Sequence, residues 1–207
     1  MFNIFKKAIG ATVVALTLSP IASQAALISG DGLASSAISG ATVEDFSGAD
    51  GFSGTSLTLG DLEVSADGFS VSDFLGGGAN QSGPSLHATS HLSPAIFWTF
   101  SFANPLDAFA FNIRGIDSNW SLSAYNDLNE LIESFTIFDA NAQDYYGISG
   151  GDISYATLST SHVTDFVLID NFTYRASASG SVPTPTPFAL LGLGLLMLGI
   201  NRRARAS

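Results

Sequence analysis

The chain has 207 residues, 18 acidic side chains, seven basic ones and no cysteine. Five of the seven basic residues lie at the two ends, so residues 26–180 hold two arginines against all 18 acids, a charge of 2 − 18 = −16. This balance excludes nucleic-acid binding, which needs basic patches to neutralise phosphates. The lack of cysteine excludes disulfides and cysteine zinc sites, so a hydrophobic core must hold the fold together.

The first 25 residues have the three parts of a secretory signal peptide. Lys6 and Lys7 precede an apolar run over 8–18, and Ser23-Gln24-Ala25 supplies small residues for signal peptidase. We therefore predict a signal peptide over 1–25, export, and one domain over 26–180, which is an ordinary domain length.

The segment 26–93 is rich in glycine and serine, with loop-like stretches at 29–32 and 76–84. Short apolar and β-branched runs predict strands at 42–46, 56–59, 62–64 and 69–71. We interpret these loops as excursions within the one domain and not as a domain boundary.

From residue 97 onward the chain alternates apolar and polar residues in short runs separated by turns. The runs are 97–102, 108–113 after an Asn104-Pro105 turn, 121–125, 131–138, 145–149, 153–158 and 166–174. Period-two runs at this spacing predict an all-β antiparallel β-sandwich. No comparable window shows the 3.6-residue apolar stripe of a helix.

The C-terminal residues form a three-part tail: a proline run over 182–187, an apolar run over 188–200 and a basic end over 201–207. The prolines impose an extended segment. Thirteen residues make a helix of about 20 Å, shorter than a hydrocarbon core of about 30 Å. The tail therefore predicts a short transmembrane helix beside a segment that a membrane peptidase can cut. The alternatives are a plain membrane anchor and a short buried helix.

This tail resembles the PEP-CTERM sorting signal. The matching pieces are Val182-Pro183, the Leu/Gly-rich run over 190–196, and Arg202-Arg203. The predicted sorting motif comprises Val182, Pro183, Thr184, Pro185, Arg202 and Arg203. Thr184 departs from the family pattern, which has glutamate between the prolines. The resemblance implies processing by an exosortase after transient anchoring in the inner membrane, and then residence at the cell surface or in the extracellular matrix.

A second resemblance covers the domain itself. The segments 42–46, 102–113 and 166–174 resemble the lectin-like jelly-roll ectodomain of exosortase-sorted proteins, which is similar in plan to carbohydrate-binding modules. It implies non-catalytic binding of an extracellular polysaccharide, or structural work in a biofilm exopolysaccharide matrix. It also implies a structural calcium between the first and last strands, with Glu44, Asp45 and Asp170 as ligands. The alternative is that these carboxylates face solvent or cap turns.

Aromatic residues next to polar ones suggest a binding patch, because sugar rings stack on flat aromatic faces. We predict this patch from loop residues at one end of the sandwich. Its members are Asp117, Asn119, Trp120, Asp144, Tyr145 and Tyr146. The alternative is that these aromatics are half-buried at strand ends.

Catalytic signatures are weak. No Gly-x-Ser-x-Gly elbow joins a predicted strand to a helix, and the pair His87 and His91 has Ala88 where a zinc protease motif requires glutamate. The sequence therefore favours a non-enzyme. A secreted polysaccharide hydrolase on the same scaffold and a purely structural matrix protein stay open as alternatives.

Overall fold

The computed structural model describes residues 25–73, 83–88, 96–141, 143–162 and 167–177. These residues form ten strands: β1 Ala26–Asp31, β2 Thr42–Glu44, β3 Ser53–Leu59, β4 Leu62–Ser72, β5 Ser85–Ala88, β6 Ile96–Arg114, β7 Trp120–Tyr125, β8 Leu131–Ile137, β9 Asp144–Thr160 and β10 Leu168–Ala176. Two short 3-10 turns lie at Ala34–Ser36 and Ser47–Ala49. All the strand pairings are antiparallel, which confirms the predicted all-β class.

The predicted signal peptide and the whole sorting tail, including its apolar run at 188–200, lie outside the described residues. Within the described ranges, no helix is long and apolar enough to cross a membrane.

The sheet folds over on itself along its two longest strands. The first half of β6 pairs with 155–160 of β9, and its second half pairs with 145–153, with register shifts between Ser101 and Ala108. The first layer contains β4, the first half of β6, the second half of β9, β7 and β8. The second layer contains β10, the second half of β6, the first half of β9, and β1.

The predicted turn at Asn104-Pro105 is therefore wrong, because β6 continues through both residues. Pro105 has no N–H to donate to a ladder, and it lies where the register shifts. Likewise, the two strands predicted at 145–149 and 153–158 are one strand, β9.

Phenylalanine rings from the two halves of β6 form the centre of the core. Ring centroids of Phe100 and Phe111 lie 5.5 Å apart, those of Phe102 and Phe109 5.9 Å apart, and Phe172 of β10 lies 5.0 Å from Phe100. Residues early in β6 thus face residues late in the same strand. The end of the fold opposite this bend therefore holds both Phe97 and Arg114.

The N-terminal segment covers the outer side of the second layer. Buried Asn112 accepts a hydrogen bond from the Ala34 N–H at 3.1 Å and donates to the carbonyls of Gly32 at 2.7 Å and Asp144 at 3.3 Å. Ala34 and Ile38 pack there against Ala108 and Ala110 of β6. Strands β1 and β5 were not predicted, because their sequences carry little apolar alternation.

Candidate functional site

The outer side of the first layer presents a surface of hydroxyl groups, here called the hydroxyl face. Register places its residues in rows across β6, β9, β7 and β8. The rows are Phe97–Ser159–Ser121–Thr136, Thr99–Thr157–Ser123–Ser134 and Ser101–Tyr155–Tyr125. Their chain neighbours Trp98, Phe100, Leu122 and Leu158 point into the core. Strand alternation thus divides these strands into an apolar inner side and a polar outer side.

Strands β4 and β3 extend the hydroxyl face. Ser65 lies opposite Thr99, and Glu63 lies opposite Ser101. The Ser56 hydroxyl donates a hydrogen bond of 3.0 Å to Glu63 Oε1. A carboxylate therefore lies at this side of the face.

Aromatic rings lie at both ends of the hydroxyl face along the strand direction. Phe97 is 48% exposed, although it is a large apolar residue. Four residues further along β6, about 13 Å at 3.3 Å per residue, comes the row with Tyr155 and Tyr125. These two rings stack with centroids 4.8 Å apart and an interplanar angle of 9°. Tyr155 donates to Asn129 Oδ1 at 3.2 Å, which orients its ring.

The floor between these rings is recessed. Thr157 and Ser123 belong to the middle row, yet they are only 8% and 7% exposed. The Ser123 and Ser134 hydroxyls are 2.7 Å apart and share a hydrogen bond. Because a hydroxyl both donates and accepts, this floor can pair with the hydroxyls of a bound molecule in either sense.

A cleft of about 460 Å³ opens at the Phe97 end. Its lining contains Phe97, Asn119, Trp120, Ser121, Thr136, Ser159, Thr160 and Ser161. The Thr160 hydroxyl donates to the Asn119 carbonyl at 2.9 Å and holds the loop before β7 against the end of β9. A smaller cleft of about 180 Å³ lies across the face, lined by Thr58, Gly60, Asp61, Glu63, Ser101, Phe102 and Ala103.

The predicted patch of loop aromatics is only partly assembled. Asn119 lines the larger cleft, but Trp120 has 0% exposure. Trp120 is the first residue of β7, in the inward phase of that strand, so its ring belongs to the core. The prediction that Trp120 stacks on a sugar is therefore wrong.

Asp144, Tyr145 and Tyr146 begin β9 in the second layer, so they belong to a strand and not to a loop. The ring of Tyr145 covers Gly30, where an added Cβ would lie 2.5 Å from its hydroxyl oxygen. Both tyrosines are half-buried, which is the alternative that the sequence left open.

Tyr146 lies close to the loop that carries Asp117. Its hydroxyl donates to the Asp139 carbonyl at 3.2 Å, and Ile116 forms an isolated bridge with Ala140. Burial, followed by the charges of Asp144, Asp139 and Asp31, raises the pKa of the Tyr146 hydroxyl.

The predicted calcium ligands do not form one cluster. Among the described residues, no three acidic or histidine side chains lie close enough to hold a metal ion. Glu44 accepts from the Phe46 N–H and Asp45 accepts from the Ser47 N–H, both at 3.0 Å, so these carboxylates cap turns. The proposed set of Glu44, Asp45 and Asp170 is therefore wrong as a ready ligand set.

Asp170 nevertheless has an unusual environment. It lies on β10, is 1% exposed, and accepts from the Asn171 N–H at 2.7 Å, while its Oδ2 has no hydrogen-bond partner among the described residues. Burial raises its pKa to about 7, the Asp45 charge adds to this, and the Asn171 N–H and Arg114 oppose it.

His87 lies on β5, so a four-residue spacing to His91 cannot place both rings on one helical face. His91 is outside the described residues.

Two aromatic members of the hydroxyl face, Phe97 and Tyr155, were missed by the sequence reasoning. The signal was present in the alternation of β6, where Phe97 shares the outward phase with Thr99 and Ser101. An aromatic residue in the polar phase of a strand is exposed, and exposure of a large apolar ring marks a contact surface.

Comparison with known proteins found no matching family model and no matching curated protein. Solved structures similar to the chain include a family 61 carbohydrate-binding module in complex with β-1,4-galactotriose, 12% identical, covering 64% of this chain and 94% of that one at a TM-score of 0.44. A mutant of a family 29 carbohydrate-binding module is 11% identical, covering 79% and 99% at a TM-score of 0.38.

A family 11 carbohydrate-binding module of a Clostridium thermocellum cellulosomal cellulase is also similar, 10% identical, covering 69% and 98% at a TM-score of 0.36. At scores this low, the likeness places no residue and names no ligand for the present chain.

Proposed function

We propose that the protein is an exported, non-catalytic module that binds an extracellular polysaccharide on the hydroxyl face. The observation that carries this proposal is the row arrangement: exposed Phe97 at one end, stacked Tyr125 and Tyr155 at the other, and a floor of Ser and Thr hydroxyls between them. Flat rings suit the apolar faces of sugars, and hydroxyls suit their polar edges.

The separation of the aromatic rings favours a chain over a single sugar. About 13 Å along the strands is longer than one sugar ring can bridge. Thr157 and Ser123 form a recessed floor, so an oligosaccharide segment can lie between Phe97 and the tyrosine pair.

The larger cleft supports binding without catalysis. Glycoside hydrolysis generally uses two carboxylates about 5–10 Å apart on either side of the scissile bond. None of the described residues that line this cleft carries a carboxyl or imidazole group. The hydrolase alternative therefore has no candidate acid and base in the larger cleft, and the carboxylates of Asp61 and Glu63 line the smaller one.

Sorting is the second part of the proposal. We propose that signal peptidase removes 1–25, that the inner membrane holds the 188–200 helix transiently, and that an exosortase cuts near Val182-Pro183-Thr184-Pro185. The order of proline run, apolar run and Arg202-Arg203 supports this route. The mass of the protein recovered from host strains with and without exosortase tests it, since an intact tail in both strains would rule out processing.

The binding test compares Phe97→Ala with wild type against soluble polysaccharides in affinity electrophoresis and calorimetry. An aromatic ring that anchors a ligand contributes about 1.4 kcal/mol or more, which is tenfold in affinity. We therefore expect at least a tenfold loss with no change in melting temperature, because Phe97 is exposed.

Leu27→Ala provides the matched control. Leu27 is 49% exposed, similar to Phe97, but it lies on β1 in the second layer. If Phe97→Ala binds as tightly as wild type, the hydroxyl face is not the binding surface. The same conclusion follows if Phe97→Ala and Leu27→Ala lose the same amount of affinity.

A further inference from the structure

The charges around the hydroxyl face point to one class of polysaccharide. We propose that this face selects neutral polysaccharides and excludes those bearing uronic acids or sulfates, with Glu63 and Asp61 as the residues that enforce the exclusion. This inference rests on the proposed function, because it concerns the ligand of the same face.

The first step is the position of the basic residues. Polyanions are usually bound by arginine or lysine, and the exported domain has only Arg114 and Arg175. Arg114 lies opposite Leu168, and Arg175 lies opposite Ala108, so both belong to the second layer. Arg175 is also engaged by Asp107, with Nε 2.8 Å from Oδ1. Neither cation lies on the hydroxyl face.

The second step is the position of the acidic residues. Glu63 lies in the row with Ser101, and it lines the smaller cleft together with Asp61. This cleft adjoins the Tyr155 and Tyr125 row, since Ser101 is the direct partner of Tyr155. A ligand that extends from the tyrosine pair across β6 toward β4 therefore meets two carboxylates.

These carboxylates have opposite effects on the two ligand classes. A carboxylate only accepts hydrogen bonds, so it pairs well with sugar hydroxyls as donors. It repels carboxylate and sulfate groups over about 10 Å at 0.1 M salt, the screening length at that concentration. The net charge of −16 on residues 26–180 adds a long-range repulsion of the same sign.

The experiment uses polymers that differ only in charge. The mature protein is tested by affinity electrophoresis against β-1,4-galactan, xylan, mixed-linkage glucan and dextran, and then against carboxylated or sulfated derivatives of each polymer that binds. We expect at least a tenfold loss of affinity on charging the polymer, and recovery of most of that loss at 1 M salt, where screening acts over about 3 Å.

A matched pair of variants tests the assigned residues. Glu63→Gln keeps an acceptor oxygen for the Ser56 hydroxyl and removes the charge. We therefore expect a smaller difference in affinity between the neutral and the charged form of each polymer. Asp31→Asn removes one charge from β1 in the second layer, and we expect it to leave this difference in affinity nearly unchanged.

Each remaining outcome contradicts a different statement. Equal or tighter binding of the charged polymer, or a loss that salt does not reverse, overturns the neutral-ligand inference and leaves polysaccharide binding intact. An unchanged difference in affinity between neutral and charged polymers in Glu63→Gln contradicts the role assigned to Glu63. Absence of binding to every neutral and charged polymer overturns the proposed function itself, and this inference with it.

Discussion

Replacing Asp170 by asparagine is expected to stabilise the protein at neutral and alkaline pH. Asparagine has the same shape and keeps an oxygen for the Asn171 N–H. It also replaces the buried Oδ2, which has no partner in the part of the chain that the structure describes, with an amide group that carries no charge. The substitution therefore removes a buried charge with little change in packing.

The magnitude follows from the pKa of Asp170, which burial raises to about 7 from an unfolded value near 3.9. Between these values the folded protein holds a proton that the unfolded chain has lost. The free energy of unfolding therefore falls as pH rises, by about 1.4 kcal/mol per unit. The full penalty, at most about 4 kcal/mol, is present above pH 7 and absent below about pH 4.

Urea unfolding measured at pH 5 and pH 8 checks this, with fluorescence of buried Trp98 and Trp120 as the signal. We expect Asp170→Asn to exceed wild type clearly at pH 8 and by a smaller amount at pH 5. Asp50→Asn, the same change at an exposed carboxylate, is the control. A variant that is equally destabilised at both pH values would refute the buried-charge account.

Calcium added to the same titration tests the implied metal site. A cation bound through Asp170 requires the ionised carboxylate, so calcium would raise the stability of wild type and not that of Asp170→Asn. An equal response in both proteins would exclude a calcium site that uses this residue.

The other expected outcomes concern three positions in the fold. Gly147→Ala is expected to lower the free energy of unfolding in urea by at least about 3 kcal/mol, because the added Cβ would lie 2.6 Å from the Ala110 Cα and against the Phe109 carbonyl. A near-neutral effect would mean that β6 can move away from β9. Asn112→Ala is expected to lower the free energy of unfolding by about 3 kcal/mol and to increase hydrogen exchange in residues 32–38, because the buried Ala34 N–H loses its acceptor. Unchanged exchange would contradict the role of Asn112 in holding that segment. Trp120→Ala is expected to lower the free energy of unfolding by about 3–5 kcal/mol, so any loss of polysaccharide binding comes with a lower melting temperature. Binding lost at unchanged stability would instead place Trp120 in the ligand site.

The candidate site shows where sequence reasoning reached its limit. Residues 115–120 read as a turn, and nothing local indicated that Trp120 begins a strand whose inward phase it occupies. Conversely, Phe97 shares one side of the alternating run 97–102 with Thr99 and Ser101, but aromatic residues stand on both sides of that run. Its exposure depends on which side of β6 faces the other layer, which is a property of the packed sheet.

Composition and the two-residue period of strands were enough to predict the all-β class, the acidic charge and the absence of disulfides. The amino-acid sequence also carries the predicted export and sorting signals, which are short linear motifs and need no folded context. The packed sheet was needed to show that β6 and β9 each belong to both layers, that residues 26–41 cover the second layer through Asn112, and that Phe97 lies in one face with Tyr125 and Tyr155. These features depend on the register between strands far apart in sequence, which local patterns of apolar and polar residues do not specify.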